Sequence, residues 1–207
     1  MKNSKHYYNS IASNYHLQAL AKMNYLNAID NYIIETMGDT VVDTYMDVGT
    51  GDGRRALKLI QNLDIKGTKV LVDDSKEMLA LLEDVYEVDL FNDNVLNYKS
   101  ATKFSLITCL WNVLGHFSSI QARVDFFKLV ETYLQPGGVF IYDVNNRYNI
   151  SHYGYNSVAE NLKKDHHDID HSSGWFNLAI GTHKTRVYIH SPFDIDTYIA
   201  PTNLQLE

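Results

Sequence analysis

The sequence is poor in cysteine, in proline and in uninterrupted apolar runs. Its only cysteine, Cys109, excludes an intrachain disulfide and fits a reducing, cytoplasmic setting. Proline occurs only at Pro136, Pro192 and Pro201, so it punctuates little of the chain. No stretch approaches the roughly 18 continuous apolar residues of a membrane span. The opening "MKNSKHYYNS" lacks the apolar centre of a signal peptide. Positive charge is also short: 18 Lys and Arg stand against 25 Asp and Glu, a net charge of −7. That balance argues against nucleic acid or an anionic membrane as a partner. No internal repeat or low-complexity linker divides the chain.

The chain does contain strands and helices in alternation. Its 207 residues suffice for one α/β domain with a real core. From Leu17 to Met37 apolar residues recur at helical spacing, with Gly38 as the stop. "TYMDVG" reads as a strand, "RRALKLIQNL" as a helix and "TKVLVDDS" as a strand. "SKEMLALLEDV" reads as a helix capped by Ser75. A weaker strand lies within "YEVDLFND". "FSLITCLWN" is a strongly apolar strand, followed by the helix "IQARVDFFKLVETYL", a turn at "QPGG" and the strand "VFIYDVNN". This order predicts a mostly parallel, doubly wound α/β sheet with helices on both faces. Apolar runs such as "VLV" and "SLITCL" fit strands buried on both sides.

In such sheets ligands bind beyond the carboxyl ends of the strands, where the strand order reverses. "DVGTGDG", residues 47–53, falls at the end of the first strand. Its glycines permit a sharp turn and a close approach of bare backbone to a ligand. The helix that follows offers free N–H groups and the positive end of its dipole. Asp47 puts a fixed negative charge beside the loop. Asp73 ends the next strand, 20 residues beyond Gly53, where an acid suits two ribose hydroxyls. The dinucleotide pattern G-x-G-x-x-G is absent, because Arg54 stands at its third glycine. A nicotinamide-dependent oxidoreductase is therefore the weaker alternative.

The chain resembles the class I S-adenosylmethionine-dependent methyltransferases of small-molecule type, with a Rossmann-like fold. Five ordered segments carry the resemblance: "YYNSIASNY", "YMDVGTGDGR", "VLVDDSKEML", "FSLITCLWNVLGHF" and "YLQPGGVFIYDVNN". The resemblance implies one methyltransferase domain, 1–207. Within it, 1–40 would be a helical cap, 41–145 the cofactor-binding core, and 146–207 a substrate-covering insertion with a truncated end. The implied cofactor is S-adenosyl-L-methionine and the implied partner a small-molecule methyl acceptor. Gly49, Thr50 and Gly51 would lie along the methionine and ribose, with Asp47 near the amino group. Asp73 would hold the ribose, and Asp74 and Met78 would flank the adenine. Asp93, with Asn94, is the preferred acid for the adenine amino group, and Asp89 is its competitor. Leu110, Trp111 and Asn112 would approach the methionine and the transferring methyl.

His116 is the candidate catalytic residue, its other reading being a histidine that orders the loop. Tyr8 and Tyr15 would close over the cofactor or simply pack a mobile N-terminal helix. "DHHDIDH", residues 165–171, contains ligand-type side chains, but a solvated loop is the stronger reading and no metal is expected. After the fifth strand the family's final antiparallel strand pair is expected to be incomplete or missing. An exposed sheet edge would then invite a homodimer. A cofactor-binding protein without transferase activity is a further alternative.

Overall fold

The computed structural model describes residues 4–82, 87–167, 173–180 and 183–207. In chain order the elements are α1 (Ser4–Ile11), α2 (Tyr15–Ala21), α3 (Met23–Met37), β1 (Tyr45–Val48), α4 (Arg54–Asn62), β2 (Lys69–Val72) and α5 (Lys76–Leu79). There follow β3 (Asp89–Phe91), β4 (Phe104–Cys109), α6 (Ile120–Tyr133), β5 (Leu134–Tyr142), α7 (Ile150–Tyr153) and α8 (Tyr155–His167). The last are β6 (Trp175–Ile180), β7 (His183–Tyr188) and α9 (Pro192–Ile199).

Five strands form a parallel sheet in the order β3-β2-β1-β4-β5. Its centre is legible in residue type: every residue of β1, β2 and β4 is buried. The period-two pleat sends alternate side chains to opposite faces. Met46, Val48, Val70, Val72, Ile107 and Cys109 join Phe126, Phe127 and Val130 of α6 and Tyr198 of α9 in one core. Tyr45, Leu71 and Leu106 join Ile33 and Met37 of α3 and Ala56 and Leu59 of α4 in the other. In α6 the buried residues Arg123, Phe126, Phe127 and Val130 recur at the spacing of one helix face. The chain fills one half of the sheet through β3, then returns to lay β4 on the other side of β1. The crevice opens at this reversal, at the carboxyl ends of β1 and β4.

Three local expectations change. The helix expected across 17–37 is two helices broken at Lys22, and Leu17 and Leu20, at helical spacing in the sequence, are exposed. The "QPGG" turn lies inside β5 as a bulge. The chain advances from Leu134 to Val139 while β4 advances only from Phe104 to Leu106. Gly137 takes φ +75° there, and a Cβ on Gly138 would stand 2.8 Å from the Phe104 carbonyl oxygen. The helix expected from Ser75 shortens to α5 and one 3-10 turn, Ala80–Leu82. Its remainder, 83–86, lies outside the described residues.

Beyond β5 the structure builds a separate antiparallel hairpin, β6–β7, hydrogen-bonded to neither edge of the parallel sheet. The final antiparallel pair, expected to be incomplete or missing, is instead present with all six residues of each strand paired; it stands apart from the parallel sheet, which ends at β5. A buried cation fastens the region. The Arg147 guanidinium donates to Asp165 of α8 at 2.8 Å, to Asp194 of α9 at 2.6 Å and to the Ile189 carbonyl at 2.8 Å. Ser191 caps α9, accepting from the Asp194 N–H at 3.2 Å, while Pro192 opens the helix.

Candidate active site

A cavity of about 510 Å³ opens at the crevice. Its floor is the β1–α4 loop. Gly49, Gly51 and Gly53 all lie in the left-handed region, with φ of 74°, 59° and 70°. A Cβ on Gly49 would come within 2.4 Å of Val113, and one on Gly53 within 2.5 Å of Leu82, so both positions require glycine twice over. Gly51 faces only the Tyr15 ring, 3.5 Å from its hypothetical Cβ, which leaves its backbone bare toward the cavity.

Asp73 stands across this loop. Its two carboxylate oxygens accept from the Gly51 and Ser75 N–H groups, each at 2.8 Å. Burial pushes its carboxyl up to about 6, against the pull of those two bonds, and the charges of Asp74 and Asp47 add to the rise. Asp47 is buried under the loop. Tyr45 donates to the Thr108 hydroxyl at 2.7 Å, and Thr108 donates to Asp47 at 2.5 Å, so a polar chain crosses the sheet core. Burial raises the Asp47 carboxyl, and bonds from threonine and the nearby Arg55 oppose the rise.

Every expected site residue borders the cavity: Tyr15, Asp47, Gly49, Thr50, Gly51, Asp73, Asp74, Met78, Asp93, Asn94, Leu110, Trp111, Asn112 and His116. Of the competing acids, Asp93 lines it and Asp89 does not. Asp93 accepts from the Asn94 N–H at 2.7 Å and the Asn97 amide at 3.0 Å, bonds that lower its carboxyl. Asn94 caps the 3-10 turn Val95–Asn97. Trp111 and Asn112 adopt φ of 61° and 58°, two consecutive left-handed residues without glycine, at the end of β4. Asn112 holds this strained corner. Its N–H donates to Asp143 at 2.8 Å, its side-chain oxygen accepts from the Asn145 N–H at 3.0 Å, and its amide donates to the Tyr188 carbonyl at 3.3 Å. The side chain thus ties β4 to the segment after β5 and to the hairpin.

His116 pairs through Nε2 with the Tyr8 hydroxyl of α1 at 2.9 Å. Burial, helped by the Arg123 charge, lowers its imidazole to about 4, and Nδ1 is buried without a partner. Arg123 donates to the carbonyls of Leu114 and Phe117, which bracket His116, at 3.1 and 3.0 Å. Asn9 of α1 meets the Ser75 hydroxyl at 2.6 Å, so α1 spans the cavity from α5 to His116. The Tyr15 ring lies 5.6 Å from Trp111.

Arg55 is the residue that the sequence reading missed. Its Nε donates to Asp30 at 2.8 Å, and Lys58 approaches the same carboxylate at 3.5 Å. Two cations therefore share one buried acid. The Arg55 terminal nitrogens, both buried, have no partner, and the residue lines the cavity near Asp47. The signal was there: Arg55 sits four residues before Leu59, on the apolar face of α4. Of the ligand types in 165–171, Asp165 bonds Arg147, and His166 and His167 end α8. Asp168, Asp170 and His171 lie outside the described residues. Among the described residues no three His, Cys, Asp or Glu side chains gather.

Residues 46–138 match the family model described as a methyltransferase domain. No curated protein matches the chain significantly. Solved structures share its fold. An S-adenosylmethionine-dependent methyltransferase from Clostridium acetobutylicum is 22% identical, with a TM-score of 0.60 over 90% of this chain and 86% of that one. DhpI, in a complex with SAM and HEP, is 14% identical, with a TM-score of 0.68 over 94% and 85%. The sugar N-methyltransferase KedS8 from a Streptoalloteichus species is 12% identical, with a TM-score of 0.62 over 90% and 83%. The family match runs from β1 to the bulge in β5, and the likeness to these solved structures is one of fold.

Proposed function

We propose that this protein transfers the methyl group of S-adenosylmethionine to a small-molecule acceptor by direct displacement at the methyl carbon. The observation that carries the reading is Asp73, fixed between two backbone N–H groups at the wall of a glycine-floored cavity. Each carboxylate oxygen takes one N–H and keeps a lone pair for one ribose hydroxyl. At the other end of the loop Asp47 and Arg55 supply opposite charges. They complement the ammonium and the carboxylate of an amino-acid tail, and the unpartnered Arg55 nitrogens gain an acceptor there. Asp74 and Met78 flank the adenine, with Asp93 and Asn94 at its edge. The complex of DhpI with SAM supports the cofactor, and the sugar N-methyltransferase KedS8 supports a small acceptor.

When bound, the cofactor supplies a methyl group on a cationic sulfur, which keeps the bonding pair as the carbon joins an acceptor lone pair. The chain contributes position and dryness. Tyr8, Tyr15 and Trp111 close the cavity from α1, α2 and the strained β4 corner, and such alignment is worth about 7–11 kcal/mol in favourable cases. His116 stays neutral at physiological pH, so Nδ1 is available to orient the acceptor by a hydrogen bond.

Calorimetry with S-adenosylmethionine and with NAD tests the cofactor, and a metabolite screen with methyl-labelled cofactor tests the transfer. Binding of the first compound and label in a small acceptor are expected. Tight NAD binding without adenosylmethionine binding would overturn the reading. Cofactor binding with no labelled product would leave a binding protein without transferase activity.

A further inference from the structure

We infer that the acceptor is an uncharged, predominantly apolar or aromatic small molecule; the inference rests on the proposed cofactor site. The cavity is divided by charge. Every charged side chain lining it among the described residues comes from the segments that end or follow β1, β2 and β3, where the cofactor is proposed to lie. The opposite wall comes from α1, the turn after β4, α6 and the β6–β7 hairpin. It presents Tyr7, Tyr8, His116, Phe117, Leu178 and Val187, with no carboxylate, ammonium or guanidinium among them.

The titratable groups on this wall are held neutral. Burial lowers His116 to about 4, and burial raises the Tyr7 and Tyr8 hydroxyls. Arg123, behind His116, is spent on two carbonyls and on the Tyr188 ring, 4.1 Å from its guanidinium, and does not line the cavity. Two polar atoms on the wall remain buried and unpartnered: the Tyr7 hydroxyl and the His116 Nδ1. A wall of this kind offers an acceptor apolar contact and two neutral hydrogen bonds. A carboxylate, phosphate or ammonium placed there would lose its hydration with no opposite charge to receive it. A neutral polar group can instead satisfy the two orphaned atoms.

The test uses the full chain and matched probes: phenylacetamide, phenylacetate and phenethylamine, similar in size and different in charge. Their affinities are measured by calorimetry or ligand-observed NMR on protein saturated with S-adenosylhomocysteine, and again on cofactor-free protein. On the saturated protein the neutral member is expected to bind at least about tenfold more tightly than either ion. Equal affinities, a preference for an ion, or no measurable binding of the neutral member overturns the inference. Failure of S-adenosylhomocysteine itself to bind strikes the proposed function instead, and the shift produced by the Leu178→Lys variant below is then read on the free protein. A Leu178→Lys variant locates the wall. Leu178 is only partly buried, so the variant is expected to fold and to gain about tenfold for phenylacetate relative to the amide. A folded variant with an unchanged ranking would put the probes elsewhere and sink the inference.

Discussion

Acidification should weaken the binding of S-adenosylhomocysteine, and Asp73 sets the pH at which this happens. Burial holds its carboxyl up at about 6 in the free protein, although Ser75 and Gly51 donate to it. By simple titration about half is protonated near pH 6 and about nine-tenths near pH 5. A protonated carboxyl cannot receive two backbone N–H groups and two ribose hydroxyls together. If the complex needs the carboxylate, affinity falls about tenfold between pH 7 and pH 5, or about 1.4 kcal/mol.

Folding responds with the opposite sign. The unfolded carboxyl titrates near its ordinary value of 3.8, so between about 4 and 6 the folded chain holds the proton more often. The contribution of this group to stability is therefore greatest below about pH 4 and declines as pH rises through about 6, by roughly 3 kcal/mol in all. Ribose hydroxyls donating to the ionised form offset part of that cost. The assay is calorimetry with S-adenosylhomocysteine from about pH 5 to 8, with circular dichroism to verify the fold. Asp73→Asn is the control, expected to bind more weakly by about 1–3 kcal/mol and to lose the pH slope. An unchanging wild-type affinity over this range, or the same slope in Asp73→Asn, would refute the ribose assignment.

Three other perturbations follow from the same geometry. Arg55→Met should weaken S-adenosylhomocysteine by about 1.5–3 kcal/mol while sparing methylthioadenosine, which lacks the amino-acid carboxylate; equal losses for the two ligands in titration calorimetry would count against the methionine role. Asn112→Ala should cost about 1–3 kcal/mol of stability in urea, because the Asn145 N–H loses its acceptor at a strained corner; an unchanged midpoint would mean that the corner holds itself. Arg147→Met should cost roughly 3–5 kcal/mol, since it strands the wholly buried carboxylate of Asp194. Thermal unfolding checks that figure, and a loss near zero would mean that Asp194 is neutralised another way.

The parts that could be read from residues are those with a local cause. Gly49, Gly51 and Gly53 announce positive φ, the continuous apolar runs of β2 and β4 announce burial on both faces, and Ser75 announces a cap. Asp47 and Asp73 could be assigned because each ends a strand, and parallel strands bring their carboxyl ends to one crevice. Other features had no local cause. The break at Lys22 follows no proline or glycine. The bulge in β5 depends on the register against Phe104, which residues 135–138 do not contain. Arg55 had a local signal in its place four residues before Leu59, but only α3 sets Asp30 against it and leaves its terminal nitrogens bare.

By itself the sequence determined the alternation of strand and helix, the glycine loop and the two acids that frame it, because propensity and hydrophobic period act over a few neighbouring residues. Only the tertiary structure decided which wall of the cavity is charged and which is neutral, and that Asn112 joins three distant segments. Those properties belong to side chains brought together across more than a hundred residues, as Tyr8 and His116 are, and desolvation acts on them only once they are enclosed.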